Sequence, residues 1–197
     1  MSAPRSLKLH AAVEKRQLKS PFHITGYTFT GFDALVVTLR DGGCIGRGEA
    51  QGVYYKHDNP PGMLAQVEAL RDRIEHGITR MELLDCLPPG GARNALDAAL
   101  WDLEATRRGL PAWQLAGIDP PRPLLTTFTI GADEPSVMAD QARAFGDARA
   151  LKLKLTDDEF NAERVRAVRA VRPDAWIMVD ANQGFTRESL SHLMPAL

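Results

Sequence analysis

The chain has 197 residues, 44% hydrophobic and 25% charged, with a formal net charge of −1. That balance gives no basic footprint for nucleic acid or an anionic membrane surface, and no apolar run approaches the ~20 residues of a bilayer-spanning helix. The first ten residues lack the apolar stretch of a secretory leader, and Cys44 and Cys86 have no spacing that argues for a disulfide, so a reduced, cytoplasmic setting is expected.

Residues 7–30 mix polar and apolar positions, with Ser20-Pro21 and Gly26 as interruptions, and read as two strand pieces and a mobile loop. Ala34 to Leu39 reads as a strand, Asp41-Gly42-Gly43 as a turn, and Cys44 to Glu49 as the returning hairpin strand. Gln51 to Pro61 is loop-like, with Tyr54-Tyr55 at its centre. The period then changes. Met63, Val67, Leu70 and Ile74 define one helical face, closed by Gly77. Thr79 with Glu82 fits a capping box. Leu96, Leu100 and Leu103 mark a further helix that stops at Gly109.

Three prolines between Gly117 and Pro123 read as a linker, and beyond it strands and helices alternate. The expected strands are Leu124 to Ile130, Ala150 to Leu155 and Trp176 to Val179. Helices follow them, marked by Met138, Ala142 and Phe145, by a second capping box at Thr156 and Glu159 ahead of Val165, Val168 and Val171, and by a cap at Thr186. Three strand–helix repeats with short connections mean a parallel sheet or the opening of a (β/α) barrel. The expected architecture is an α+β domain over residues 1–117, then about three βα units over residues 118–197.

Lys152 and Lys154, two apart on a strand, share a face roughly 7 Å apart. Two ammonium groups in a partly desolvated interior disfavour each other's protonation, which is how a lysine becomes a base near neutral pH. On spacing alone, lysines facing water or guarding a sheet edge are the commoner arrangement. However, a strand enclosed between βα units is normally apolar on both faces, so two lysines there need a reason. Asp180 ends an apolar strand, where barrels place their catalytic groups. It could ligate a hard cation, and Asn182 could contact a substrate, but Asp-Ala-Asn-Gln-Gly is equally good loop chemistry. The five histidines have no ligand spacing, and Gly46-Arg47-Gly48-Glu49 lies on a hairpin strand, where a structural role fits better than a phosphate-binding loop.

These residues resemble the enolase superfamily, and within it the muconate-lactonizing and dipeptide-epimerase group. Gly46-Arg47-Gly48-Glu49-Ala50 looks like the hairpin motif of its capping domain. The run from Pro89 to Ala105, with Arg93-Asn94, Asp97 and Trp101, is similar to the capping helix of dipeptide epimerases. Thr127-Phe128-Thr129-Ile130-Gly131 resembles the first barrel strand, Lys152-Leu153-Lys154 the Lys-x-Lys motif, and Asp180-Ala181-Asn182 the first metal-ligand segment.

The resemblance implies a capping domain followed by the first part of a (β/α) TIM-type barrel. It also implies a dipeptide substrate and Mg²⁺, a pairing with a lysine base that the superfamily is known for. Lys154 would be the acid/base at the substrate Cα. Lys152 would lower its proton affinity and help stabilise the enolate, and Asp180 would be the first of three carboxylate ligands to Mg²⁺. Asn182, Thr127 and Tyr54 are the candidate substrate contacts, and a homo-oligomer is possible on the same analogy. The family's later carboxylates and its opposing lysine fall beyond Leu197, so this chain by itself is expected to lack epimerase activity. An arginine common in the first capping loop is replaced by Phe22-His23-Ile24-Thr25-Gly26-Tyr27. With Tyr54-Tyr55, that points away from an acidic dipeptide. A cycloisomerase, an o-succinylbenzoate synthase and an N-acylamino acid racemase share Lys-x-Lys and remain alternatives, as does a non-catalytic truncated product or assembly partner.

Overall fold

The computed structural model describes residues 7–197, apart from the side chain of Tyr54. Two compact units emerge. The first comprises residues up to Gln17 and Gly31–Arg122, and the second Leu18–Thr30 with Pro123–Leu197.

In the first unit, β1 (Lys8–Ile24), β2 (Tyr27–Asp41) and β3 (Cys44–Ala50) form a sheet in the order β1-β2-β3. β2 and β3 are an antiparallel hairpin in register from Asp41 opposite Cys44 to Leu35 opposite Ala50. The two pieces and loop expected over residues 7–30 are instead one 17-residue strand and the start of the next, with the turn at Thr25-Gly26. Pro21 is accommodated because β1 is an edge strand, where a missing N–H costs no ladder bond. The tip of this hairpin, Leu18–Thr30, belongs to the second unit.

Leu35, Val37 and Leu39 project from β2 into the first core, where they meet Met63, Val67, Ile74 and the inner stripe of α4 (Gly91–Arg108). The helical face expected from Met63 to Ile74 is divided at Leu70 into α1 (Pro60–Ala69) and α2 (Arg71–Glu75). There the Leu70 N–H turns inward to Val67 O, a tighter closure than the α-helical bond. Arg71 is then free to pair with Glu68 and Glu75 and to donate to Leu9 O on β1. α3 (Arg80–Cys86) begins with the expected Thr79–Glu82 capping box.

The Gly46-Arg47-Gly48 motif is a packing device. α4 lies so close to β3 that a Cβ at Gly46 would overlap Ala99 O and reach 2.5 Å from Leu103 Cβ. A Cβ at Gly48 would overlap Ala95 O and reach 2.7 Å from Ala99 N. The same helix also satisfies the free edge of β3. Asp102 accepts from Arg47 N at 2.8 Å, Asn94 donates to Glu49 O at 3.2 Å, and Thr106 donates to Ile45 O at 3.2 Å. Outside this contact, the Arg80 guanidinium sits 3.4 Å over the Trp101 ring and pairs with Glu104. α5 (Ala112–Leu115) closes the unit.

The second unit carries the strand–helix alternation. β4 (Phe128–Ile130), β5 (Ala150–Lys154) and β6 (Trp176–Asp180) are parallel in chain order, separated by α6 (Pro135–Ala144) and α7 (Asn161–Val171), and α8 (Arg187–Leu193) follows. β4 is shorter than the expected Leu124 to Ile130, because its pairing with β5 begins only at Phe128 opposite Leu151. One sheet face presents Ile130, Leu151, Leu153 and Leu155, all fully buried in a core with Met138, Ala142, Val165 and Val168 of the helices. Among the described residues, no helix is long and apolar enough to cross a membrane.

The expected Thr156–Glu159 capping box is not formed. α7 starts later, at Asn161, whose side chain takes over the turn by donating to Thr156 O (2.7 Å) and Asp158 O (3.0 Å). The buried Arg164 joins this loop, donating to Asp133 O, to Asn161 Oδ1 and, at 2.6 Å, to Asp158 Oδ1. Burial raises the proton affinity of Asp158. Hydrogen bonds from Arg164, Thr156 and Phe160 N–H outweigh it and hold the carboxyl below the ordinary aspartate range. A depressed folded-state pKa stabilises above the unfolded value and ceases to do so as pH falls through the folded one. We therefore expect urea stability to fall as pH drops below the ordinary aspartate range and through the lower folded-state value. Asp158→Asn should be less stable at neutral pH and show a shallower acid dependence; equal slopes for the two proteins would contradict this.

Candidate active site

The opposite face of the parallel sheet is polar. Register places Thr129 beside Lys152, Lys152 beside Met178 and Lys154 beside Asp180. In-register neighbours share a face, so both lysines and the aspartate converge near the C-terminal ends of β5 and β6. Lys154 is buried, 8% exposed, although its strand neighbours on the other face are leucines. Its Nζ donates to Asp180 Oδ2 at 2.6 Å and to Asn182 Oδ1 at 2.7 Å. Lys152 Nζ lies 3.7 Å from the same Asp180 oxygen.

The expected electrostatics of two lysines facing each other therefore need correction. The Asp180 carboxylate stands within reach of both, so opposite charge rather than mutual repulsion is the nearest influence. The Lys154 hydrogen bond is the largest effect lowering the Asp180 pKa. Burial opposes it, while the Asn182 N–H at 3.0 Å on Oδ1 and the charges of both lysines add to it. Asn182 (φ 47) and Gln183 (φ 68) both adopt left-handed backbone, uncommon for non-glycine residues, and this turns the chain sharply away from β6.

Four of the six candidates thus meet: Lys152, Lys154, Asp180 and Asn182. Thr127 precedes β4, half-buried, and has no hydrogen bond to the cluster among the described residues. Thr129, within β4, is the residue of that segment on the lysine face, a placement the alternation Thr127-Phe128-Thr129 already allowed. Tyr54 lies in a 3₁₀ turn, Tyr54–Lys56, of the first unit, and its side chain falls outside the described residues. Thr25 was missed altogether. Its hydroxyl lies 2.8 Å from Ala181 O and 3.2 Å from Leu155 O, across more than a hundred residues of sequence that no local pattern could bridge.

Among the described residues, no three His, Cys, Asp or Glu side chains group as a metal site. Asp180 suits a hard cation as one ligand, but Mg²⁺ takes more oxygen donors than a single carboxylate. The described residues therefore do not make a magnesium site on their own.

An α+β domain followed by parallel βα units, with a buried lysine beside a carboxylate at the strand ends, is the architecture of a capping domain and the opening of a barrel. Residues 7–117 match the family model of the mandelate racemase / muconate lactonizing enzyme N-terminal domain. The chain belongs to that family, within the enolase superfamily and close to the dipeptide epimerases. L-Ala-D/L-Glu epimerase of Escherichia coli (strain K12) is 37% identical over 176 residues, 88% of this chain and 54% of that protein. An enolase family member from Agrobacterium tumefaciens with homology to dipeptide epimerases, solved with sodium and L-Ala-L-Glu, superposes with a TM-score of 0.87. It is 36% identical, over 96% of this chain and 58% of that one. The dipeptide epimerase of Enterococcus faecalis V583, complexed with Mg and L-Leu-L-Tyr, gives a TM-score of 0.82 at 27% identity, over 98% and 58% of the two chains. The chain spans a little over half the length of these relatives.

Proposed function

We propose that this chain supplies one side of a dipeptide epimerase site, in which a proton is removed from and returned to a Cα adjacent to a carboxyl group. The observation that carries this reading is the buried Lys154 Nζ hydrogen-bonded to Asp180 and Asn182 at the strand ends. Lys154 in its neutral form accepts the Cα proton, and as ammonium it returns it. Lys152, more exposed and beside the same carboxylate, adds positive charge where negative charge develops on the substrate. Asn182 offers an amide to orient the substrate. Asp180 would contribute one carboxylate to a Mg²⁺ ion, which would supply positive charge to substrate oxygens. Its other ligands must come from outside the described residues.

The 197-residue chain alone is expected to give no Cα deuterium exchange with any dipeptide, because one carboxylate does not hold the ion. Joined to the part of the Escherichia coli epimerase that it does not span, it is expected to exchange the Cα proton of at least one dipeptide. The panel should include L-Ala-L-Glu and L-Leu-L-Tyr, the ligands of the two solved relatives, since the missing capping-loop arginine points away from the acidic one. Exchange by the chain alone, or a folded joined protein inert toward the whole panel, would count against the proposal.

A further inference from the structure

We infer that Thr25, at the tip of the β1–β2 hairpin, is a positioning residue for the Lys154–Asp180–Asn182 cluster. Only the chemistry that the cluster serves rests on the function proposed above.

The bond from Leu155 N to Asp180 O, 3.1 Å, is the last ladder bond between β5 and β6. In a continuing parallel ladder, Leu155 O would next accept from Asn182 N–H. That donor is diverted: the Asn182 N–H points to Asp180 Oδ1, where the left-handed turn begins. The Thr25 hydroxyl takes its place, 3.2 Å from Leu155 O and 2.8 Å from Ala181 O. A hydroxyl carries one proton, so it is shared between two carbonyls, each on the residue directly after a strand. Leu155 directly follows Lys154, and Ala181 lies between Asp180 and Asn182. The clamp thus sits one residue from every member of the cluster.

The surroundings are shaped for it. A Cβ at Gly184 would stand 2.7 Å from Thr25 Oγ1, so glycine there makes room for the hydroxyl. Ala132 N donates to His23 O at 3.0 Å, and a Cβ at Gly131 would come within 3.2 Å of His23 N. The tip therefore touches the segments that follow all three parallel strands. Leu155 O sits at a part-buried position, where an unpaired carbonyl is costly. Without the hydroxyl, the ends of β5 and β6 can part, loosening the Lys154 hydrogen bonds and releasing the tip together.

The test compares Thr25→Val, which keeps the shape and removes the hydroxyl, with Thr25→Ser, which keeps the hydroxyl, in the 197-residue chain. Two readouts need no turnover: the acylation rate of Lys154 relative to the exposed Lys15 and Lys56, and backbone hydrogen exchange over residues 18–30. Thr25→Val should accelerate Lys154 labelling and tip exchange together by about fivefold, the shift expected from one lost hydrogen bond, and Thr25→Ser should restore both. Unchanged rates in Thr25→Val, or rates in Thr25→Ser as fast as in Thr25→Val, would overturn the inference. If Thr25→Val does not fold, a folded Thr25→Ser with wild-type rates supports the inference, and an unfolded Thr25→Ser overturns it. Absence of epimerase activity would leave these readouts unaffected.

Discussion

Lys154→Met, in the protein joined to the rest of a relative's barrel, is expected to slow Cα proton exchange by about a thousandfold or more, within the range for loss of a positioned general base. The side chain is buried and anchored by two short hydrogen bonds, to Asp180 and Asn182, so the variant loses a specific proton acceptor together with the stability those bonds supply. Lys154→Arg separates charge from proton transfer. A guanidinium can still pair with Asp180, but it does not release its proton near neutral pH. It should therefore be as inactive as Lys154→Met and closer to the parent in stability. Lys152→Met should cost less than either, since Lys152 makes only the longer 3.7 Å approach to Asp180 and is more exposed. An active Lys154→Arg would show that the cation, and not the base, is what the site needs.

The largest stability effect is expected at Gly48. A methyl there would press into the backbone of α4 at Ala95 and Ala99, and neither atom belongs to a flexible side chain that could move aside. Overpacking usually costs about 1–3 kcal/mol where side chains can adjust; against helix backbone, Gly48→Ala should cost about 3 kcal/mol or more. Separation of α4 from β3 would also unmake the bonds from Asn94, Asp102 and Thr106 that satisfy the free edge of β3. Gly43→Ala is the control, because a Cβ there meets nothing within 4 Å. Urea unfolding should separate the two clearly, and equal midpoints would contradict the packing account.

Much of this was legible in the sequence because it is local. The Thr79–Glu82 box, the stop at Gly109 and the alternation of leucines and lysines on opposite faces of β5 are patterns of two to four residues, and the structure reproduces them. Asp180 at the end of an apolar strand could be read in the same way, but its partnership with Lys154 could not. That contact depends on the register of two strands joined by a helix. The failures share a cause. Pro21 looked like a break because its edge position is a property of the sheet. The box at Thr156 is displaced by Asn161 and Arg164, which reach back over the turn from α7 to Thr156 and Asp158. Thr25 gave no local signal at all. The helix residues around Asp97 and Trp101 resemble a family signature, and part of that run has a mechanical meaning: Asn94 and Asp102, with Thr106 just beyond it, bind an edge strand whose glycines admit the helix.

In the proposed reaction Lys154, held by Asp180 at the strand ends, moves the Cα proton of a dipeptide. The most direct measurement is the loss of the Cα proton signal of a dipeptide in D₂O, followed by NMR with the joined protein and with its Lys154→Met variant. The account predicts a signal that decays with the parent protein and persists with the variant, with equal folding of the two. Decay at the same rate in both would contradict it.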